Sequence, residues 1–308
     1  MYGCAMYFLF KRSYKPNVYK EGLKDMHFQW YPGHMTKAKR MMQENIKLID
    51  LVIELVDARI PISSRNPDID ELGVNKARLI LLNKSDLAEN KWNDRWEEYF
   101  REKGYSVVQI NSKKGGGLKF IHGVIAEACK EKRERDRKKG ILNRPVRAMV
   151  VGIPNVGKST FINSLAGKAS AKTGNRPGVT KGKQWIRLNK NVELLDTPGI
   201  LWPKFEDQEV GLRLALIGSI KDEILNIEDL AAALITFLLA HYPHVLPEKY
   251  GIVEANDVYQ CLREIAKSRH CLMRGNELDT QKAAHLLMDD FRNGRLGKIT
   301  LEFPNGEK

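Results

Sequence analysis

Cysteine is scarce: Cys4, Cys129, Cys261 and Cys271 are the whole complement of 308 residues. No two of them form a Cys-x-x-Cys pair or fall at metal-ligand spacing. That speaks against a zinc site and for reduced thiols in a cytosolic protein. His241, His244, His270 and His285 also lack the spacing a metal would need. Long apolar runs are missing as well. Met1 to Phe10 is apolar but far too short to span a bilayer, and Lys11 and Arg12 follow the run, where a secretory signal would place its charges first. No other stretch is apolar enough for a membrane span, so a soluble chain without a membrane partner is expected. Met1 to Asp25 is set apart as an N-terminal extension. There is no internal repeat and no low-complexity tract. Acidic residues are outnumbered, with 38 Asp+Glu against 51 Lys+Arg and a net charge of +13. Such an excess suits a polyanionic partner, nucleic acid above all.

What is present centres on Gly152-Ile153-Pro154-Asn155-Val156-Gly157-Lys158-Ser159. Two glycines four residues apart, followed by Lys and Ser, form a phosphate-binding loop pattern. The Val-rich run Val146 to Val151 reads as a buried strand and Ser159 to Leu165 as the start of a helix. A strand feeding such a loop into a helix N-terminus aims backbone N–H groups and the helix dipole at one point. Residues Asn155 to Thr160 would then surround the phosphates, through Val156, Gly157, Lys158, Ser159 and Thr160, with Lys158 reaching the terminal ones. The Ser159 hydroxyl would ligate Mg²⁺.

Around this loop, strands alternate with helices. Helices are expected over His34 to Ile49, Lys91 to Lys103 and Leu118 to Lys139, and strands over Leu51 to Val56, Arg78 to Leu82 and Ser106 to Ile110. Gln184 to Leu188 and Val192 to Leu195 read as a hairpin. From about Pro203 only helical periodicity is visible, over Glu209 to Ile217, Ile227 to His241, Asn256 to His270 and Thr280 to Asn293. The expected fold is α/β: a P-loop domain with a mostly parallel sheet over 26–202, then an all-helical C-terminal domain over 203–308. Leu234, Phe237 and Leu238, at i, i+3, i+4 spacing, read as helix-bundle core.

The strand ends carry the chemistry. Asn83-Lys84-Ser85-Asp86 matches the element that reads guanine, since the Asp86 carboxylate can accept from both the ring N1–H and the exocyclic amino group. Asn83 and Lys84 would brace that loop and cover the base. Asn111 and Ser112, after the next strand, match by position the loop that backs the base. Asp196-Thr197-Pro198-Gly199 supplies an Asp for Mg²⁺ and a Gly amide for the γ-phosphate. Thr180 is the expected second hydroxyl ligand of Mg²⁺, with Thr173 nearby as its rival.

The order of these elements is unusual: the guanine elements precede the phosphate elements. The chain therefore resembles the circularly permuted GTPases. Trp30-Tyr31-Pro32-Gly33-His34-Met35, Val56-Asp57-Ala58-Arg59-Ile60-Pro61, the phosphate loop and Asp196 to Pro203 make it similar to the ribosome biogenesis GTPase A family, from about Met26 to near the C-terminus. Ile200 occupies the position where Ras-like enzymes carry a water-orienting Gln. The resemblance implies that His34 takes over that role, the alternative being a histidine that packs locally at a helix N-terminus. It also implies that Asn155 helps hold K⁺. The implied function is a GTP-hydrolysing, cytoplasmic assembly factor for the large (50S) ribosomal subunit precursor, monomeric off the particle. GTP would favour the particle-bound form and hydrolysis would release it. A signalling switch acting on a protein partner and a nucleotide-binding scaffold with little turnover are the competing readings. Residues Lys130 to Arg147 hold nine basic and three acidic side chains and, with Lys37, Lys39 and Arg40, are the expected rRNA contacts, and the helical domain over 203–308 is expected to bind rRNA or the ribosome. Trp30, Tyr31 and Trp202 suit either base stacking or core packing.

Overall fold

The computed structural model describes residues 33–142, 144–167, 184–202, 205, 207–252 and 257–304, with only the backbone described at 33 and 34. The expected extension Met1 to Asp25, together with Trp30, Tyr31, Thr173 and Thr180, lies outside these residues. Two compact units are present. One comprises the described residues up to 205 together with 300–304, and the other runs over 207–299.

In the first unit the elements are α1 (Gly33–Asn45), β1 (Leu51–Asp57), α2 (Asp68–Leu72), β2 (Ala77–Asn83), α3 (Asn90–Glu102), β3 (Ser106–Gln109), α4 (Ile121–Ala128), α5 (Lys130–Lys138), β4 (Val146–Val151), α6 (Lys158–Ala166), β5 (Gln184–Asn189) and β6 (Val192–Asp196). The strands form one six-stranded sheet in the order β3-β2-β1-β4-β6-β5. All neighbours are parallel except β5 and β6, which pair as an antiparallel hairpin. β1 is buried along its whole length, as a central strand covered on both faces must be. On α3, Trp92, Trp96 and Phe100 recur every four residues and pack on Val56, Ile80 and Leu82 of the sheet.

The single long helix expected over Leu118 to Lys139 is broken. A 3₁₀ turn (Leu118–Phe120) leads into α4, and Cys129 separates α4 from α5 with φ −103° and ψ 11°. α4 buries Ile121 and Ile125, whereas α5 buries nothing. The charged half has no apolar stripe to continue the packing of the first. α2 was not anticipated either; its five residues are too few for a periodic signal.

The second unit is helical, with α7 (Gln208–Leu216), α8 (Ile227–His241), α9 (Val245–Tyr250), α10 (Val258–Ser268) and α11 (Thr280–Arg292). Asp207, Asn226, Asp257 and Asp279 cap α7, α8, α10 and α11 by accepting from backbone amides of the first turn. Such caps are worth about 1 kcal/mol each. α8, α10 and α11 pack mutually. Leu234 and Leu238 are fully buried and Phe237 lies against His241, in keeping with a bundle core. The helical domain expected to reach residue 308 ends earlier, because residues 300–304 pack with the first unit. Phe303 sits 4.8 Å from Trp92, and the Trp96 indole N–H donates to the Glu302 carbonyl. No helix among the described residues is long and apolar enough to cross a membrane.

Candidate active site

The chain adds β2 and β3 on one side of β1, then β4, β6 and β5 on the other. The switch point therefore lies between β1 and β4, where open α/β sheets bind ligands beyond the strand C-termini. The phosphate loop leaves β4 at that point, and the loops after β1, β2 and β6 flank it.

Gly157 opens α6 at φ 102°, in the left-handed region, and a Cβ there would lie 2.5 Å from Asn83 Nδ2. Glycine is required on both counts. Asn83 explains the closeness. Its amide donates to the Val156 carbonyl (2.7 Å), and its Oδ1 accepts from the Ser112 N–H (3.1 Å) and hydroxyl (2.9 Å). One buried side chain thus ties the phosphate loop to the end of β2 and to the loop after β3. Ser164 of α6 adds a further tie by donating to the Ser112 carbonyl.

Lys158 curls over its own loop, donating to Gly152 O (2.9 Å) and Ile153 O (3.1 Å). Burial lowers its pKa to about 8, opposed by the Asp196 carboxylate. Asp196 is fully buried. Burial raises its pKa to about 6, and Lys158 and the Thr197 amide only partly pull it back. Neither Asp196 oxygen has a well-formed hydrogen bond among the described residues. A buried carboxylate with so little hydrogen bonding, beside the first turn of the phosphate-loop helix, fits a hard oxygen-seeking cation. Ser159, half-buried in that turn, and Asp196 would hold Mg²⁺, whose charge would offset that of the phosphates. Thr197 Oγ1 donates to the Val150 carbonyl (2.7 Å), pinning the loop after β6 to the β4 end. A Cβ on Gly199 would come within 2.9 Å of both Lys158 Nζ and the Pro154 backbone, so this loop rests directly on the phosphate loop.

In the loop expected to read guanine, Asp86 is half-buried just beyond β2, with Lys114 Nζ 3.8 Å away. The Ser85 hydroxyl donates to the Ile110 carbonyl, and Asn93 of α3 donates to the Ser85 carbonyl. Asn111 Oδ1 accepts from the Lys113 and Lys114 amides and closes its own loop. Lys84, at φ 58°, sets its ammonium 2.9 Å from Asp57 Oδ2. Asp57 is fully buried and also takes the Arg59 guanidinium at 2.9 and 2.8 Å. Burial alone would raise the Asp57 carboxyl, but Arg59 and Lys84 outweigh it and hold it well below the usual carboxylate range. No role for Asp57 and Arg59 follows from the sequence alone. The only available signal was two opposite charges at a strand end.

The structure therefore gathers Asn83, Lys84, Asp86, Asn111, Ser112, Asn155, Val156, Gly157, Lys158, Ser159, Thr160, Asp196 and Gly199 at one end of the sheet. Asn155 is half-buried at φ 58°. His34 lies in the first turn of α1, with its side chain outside the described residues. Ile200 is almost fully buried and its side chain has no atom that could hydrogen-bond a water.

Residues 147–270 match a family model described as 50S ribosome-binding GTPase. The chain is 52% identical over 280 residues to Ribosome biogenesis GTPase A of Bacillus cereus, covering 91% of this chain and 95% of that one. This chain belongs to the ribosome biogenesis GTPase A family. Ribosome biogenesis GTPase A of Thermotoga maritima is 34% identical, over 89% of this chain and 94% of that one. Mitochondrial ribosome-associated GTPase 1 of Mus musculus is 36% identical, over 89% and 90%. Among solved structures, GNP-bound YlqF from T. maritima superposes with a TM-score of 0.62 at 28% identity, covering 87% of this chain and 99% of that one. The present protein is accordingly a GTPase of ribosome biogenesis, binding GTP and GDP and using Mg²⁺ as GTPase domains do.

Proposed function

We propose that this GTPase acts on the large (50S) ribosomal subunit precursor in the cytoplasm, binding it as a monomer in the GTP state and leaving when the particle stimulates hydrolysis. The observation that carries this reading is the Asp196 to Gly199 loop, which rests on the phosphate loop and leads within a few residues into the helical unit. A γ-phosphate sensed at Gly199 is thereby connected along the chain to the unit that would hold rRNA. The 50S description of the matching family model supports the choice of particle.

α5 supports an RNA surface. None of its residues is buried, and Lys130, Arg133, Arg135, Arg137 and Lys138 are all exposed. The basic residues of α1 contribute less, because Lys39 pairs with Asp68 at 2.8 Å and Arg40 with Glu44 at 3.1 Å.

In the reaction, the phosphate-loop amides and Lys158 stabilise charge on the phosphates, and Ser159, Asp196 and Thr180 would hold Mg²⁺, which would supply further positive charge there. Ile200 leaves the attacking water without a partner at the usual position, so intrinsic turnover is slow. His34 orients the water, and Asn155 would help hold K⁺, which would supply further positive charge. The test is GTP turnover in KCl and in NaCl, with and without purified large subunits. Stimulation by subunits, larger in KCl and lost in His34→Ala, is the expected result. Equal turnover in the two salts would remove K⁺, and no stimulation at low salt by mature or precursor particles would remove the 50S subunit as activator.

A further inference from the structure

After α11 the chain leaves the helical unit at Ile299, and residues 300–304 cross the GTPase unit beside the guanine loop. Their contacts are specific. The Glu302 carboxylate accepts from the Ile62 amide (2.6 Å), the Ser63 amide (3.1 Å) and the Ser63 hydroxyl (2.6 Å). The Leu301 amide donates to the Arg59 carbonyl at 2.9 Å. On the other side, Thr300 Oγ1 accepts from the Glu89 amide at the start of α3, and the Trp96 indole donates to the Glu302 carbonyl. The segment therefore clamps the loop after β1 to α3. The loop of Asn83 to Asp86 lies between these two supports, bonded to both: the Ala58 amide donates to the Asn83 carbonyl and Asn93 of α3 to the Ser85 carbonyl.

We infer that residues 300–304 form a positioning strap for the guanine loop, and that Glu302 is its positioning residue. The path is short. Glu302 fixes the amides of Ile62 and Ser63. Ser64, next in that turn, accepts from the Asp57 amide through its hydroxyl (3.0 Å). Asp57 in turn holds Arg59 and, at 2.9 Å, Lys84 of the guanine loop. A charged acceptor on two neighbouring amides, 8% exposed, makes a rigid joint, and its removal takes a partner from the buried Ser63 amide and hydroxyl. Loss of the joint frees Asp57 to shift, and with it Lys84 and the adjoining Asp86. The phosphate loop reaches the guanine loop by a separate route through Asn83, so the strap acts on recognition of the base more than on the phosphates.

The inference rests on Asn83 to Asp86 being the guanine-reading loop, and the experiment separates the two. GDP and IDP affinities, and kcat and KM for GTP and ITP, are measured on the parent, on Glu302→Ala, Glu302→Gln and Asp86→Asn, and on a chain truncated after Ile299. Inosine lacks the exocyclic amino group, so the guanine-to-inosine preference reports how well Asp86 is placed. Glu302→Ala should weaken GDP about tenfold, narrow the guanine-to-inosine preference and raise KM with kcat little changed. Glu302→Gln, which keeps one acceptor oxygen, should recover part of the loss, and the truncation should exceed Glu302→Ala. A folded Glu302→Ala with the parent's GDP affinity and base preference would overturn the strap. An Asp86→Asn protein with unchanged base preference would instead overturn the assignment of the loop itself. If the truncated chain fails to fold, the Glu302→Ala and Glu302→Gln pair decides alone.

Discussion

Asn83 is the sharpest position to test in the nucleotide site, because its side chain has three bonds to two separate loops of the pocket and no freedom to remake them. It is 2% exposed, donates to Val156 O and accepts from both Ser112 donors. Asn83→Ala strands the Val156 carbonyl and the Ser112 amide in a buried seam. Each stranded group costs about 1–3 kcal/mol, less whatever a water entering the vacated space recovers, so a total of about 3 kcal/mol is reasonable. For a unit of this size each kcal/mol lowers the midpoint by about 2–4 °C, giving a fall of about 6–12 °C. Tryptophan fluorescence isolates the effect, since Trp30, Trp92, Trp96, Trp185 and Trp202 all precede the helical unit. The same substitution uncouples the phosphate loop from the guanine loop, and GDP affinity should weaken at least about tenfold. Asn83→Asp sharpens the test. A carboxylate can still accept from Ser112, but it would set an oxygen where the amide now donates to Val156 O at 2.7 Å. It should therefore be no better than alanine. An Asn83→Ala protein with the parent's fluorescence midpoint and GDP affinity would refute the idea that this side chain joins the halves of the pocket.

Gly199→Ala places a methyl within 2.9 Å of Lys158 Nζ and the Pro154 backbone. It should fold normally yet lower kcat for GTP at least about tenfold, with GDP binding much less affected, as single-turnover rates and nucleotide titrations would show. Asp57→Asn removes one partner of a buried ion pair and should cost about 3 kcal/mol at pH 7 in urea unfolding. The Asp57 carboxyl is held below its unfolded value, so the stability it contributes is present above about pH 4 and is lost as the pH falls further toward its folded value. The gap between parent and variant should narrow below about pH 4, and a gap independent of pH would refute the role of the charge.

The sheet and the main loops could be read from the sequence because their chemistry is local. The phosphate loop needs its glycines, lysine and serine in one run, and the guanine loop its Asn-Lys-x-Asp, so each announced its strand as well. Alternation and apolar runs located β1, β2 and β4 to within a residue or two. The break at Cys129 was not legible, since helix formers run through it without Gly or Pro and only the lack of anything for α5 to bury ends the packing. The strap was invisible for a different reason: Glu302 meets Ser63 across 239 residues, and one carboxylate near a chain end carries no pattern. The Asp57–Arg59 pair falls between these cases, near in sequence but meaningful only once β1 and β2 lie side by side in register, Asp57 against Asn83.

The pairing of β1 with β4, Leu51 beside Ala148 through Glu54 beside Val151, joins strands almost a hundred residues apart. Seen from the order of synthesis, β1, β2 and β3 can zip together while the phosphate loop is still unmade. The nascent chain then holds a base-reading surface with nowhere to put a triphosphate. Binding must wait until β4 slots in beside β1, and from that moment GTP or GDP, gripping groups on both sides of the join, is itself a rivet for it. A bound guanine nucleotide would thus hold closed a strand pairing that the order of synthesis delays, and add to the stability of the finished sheet.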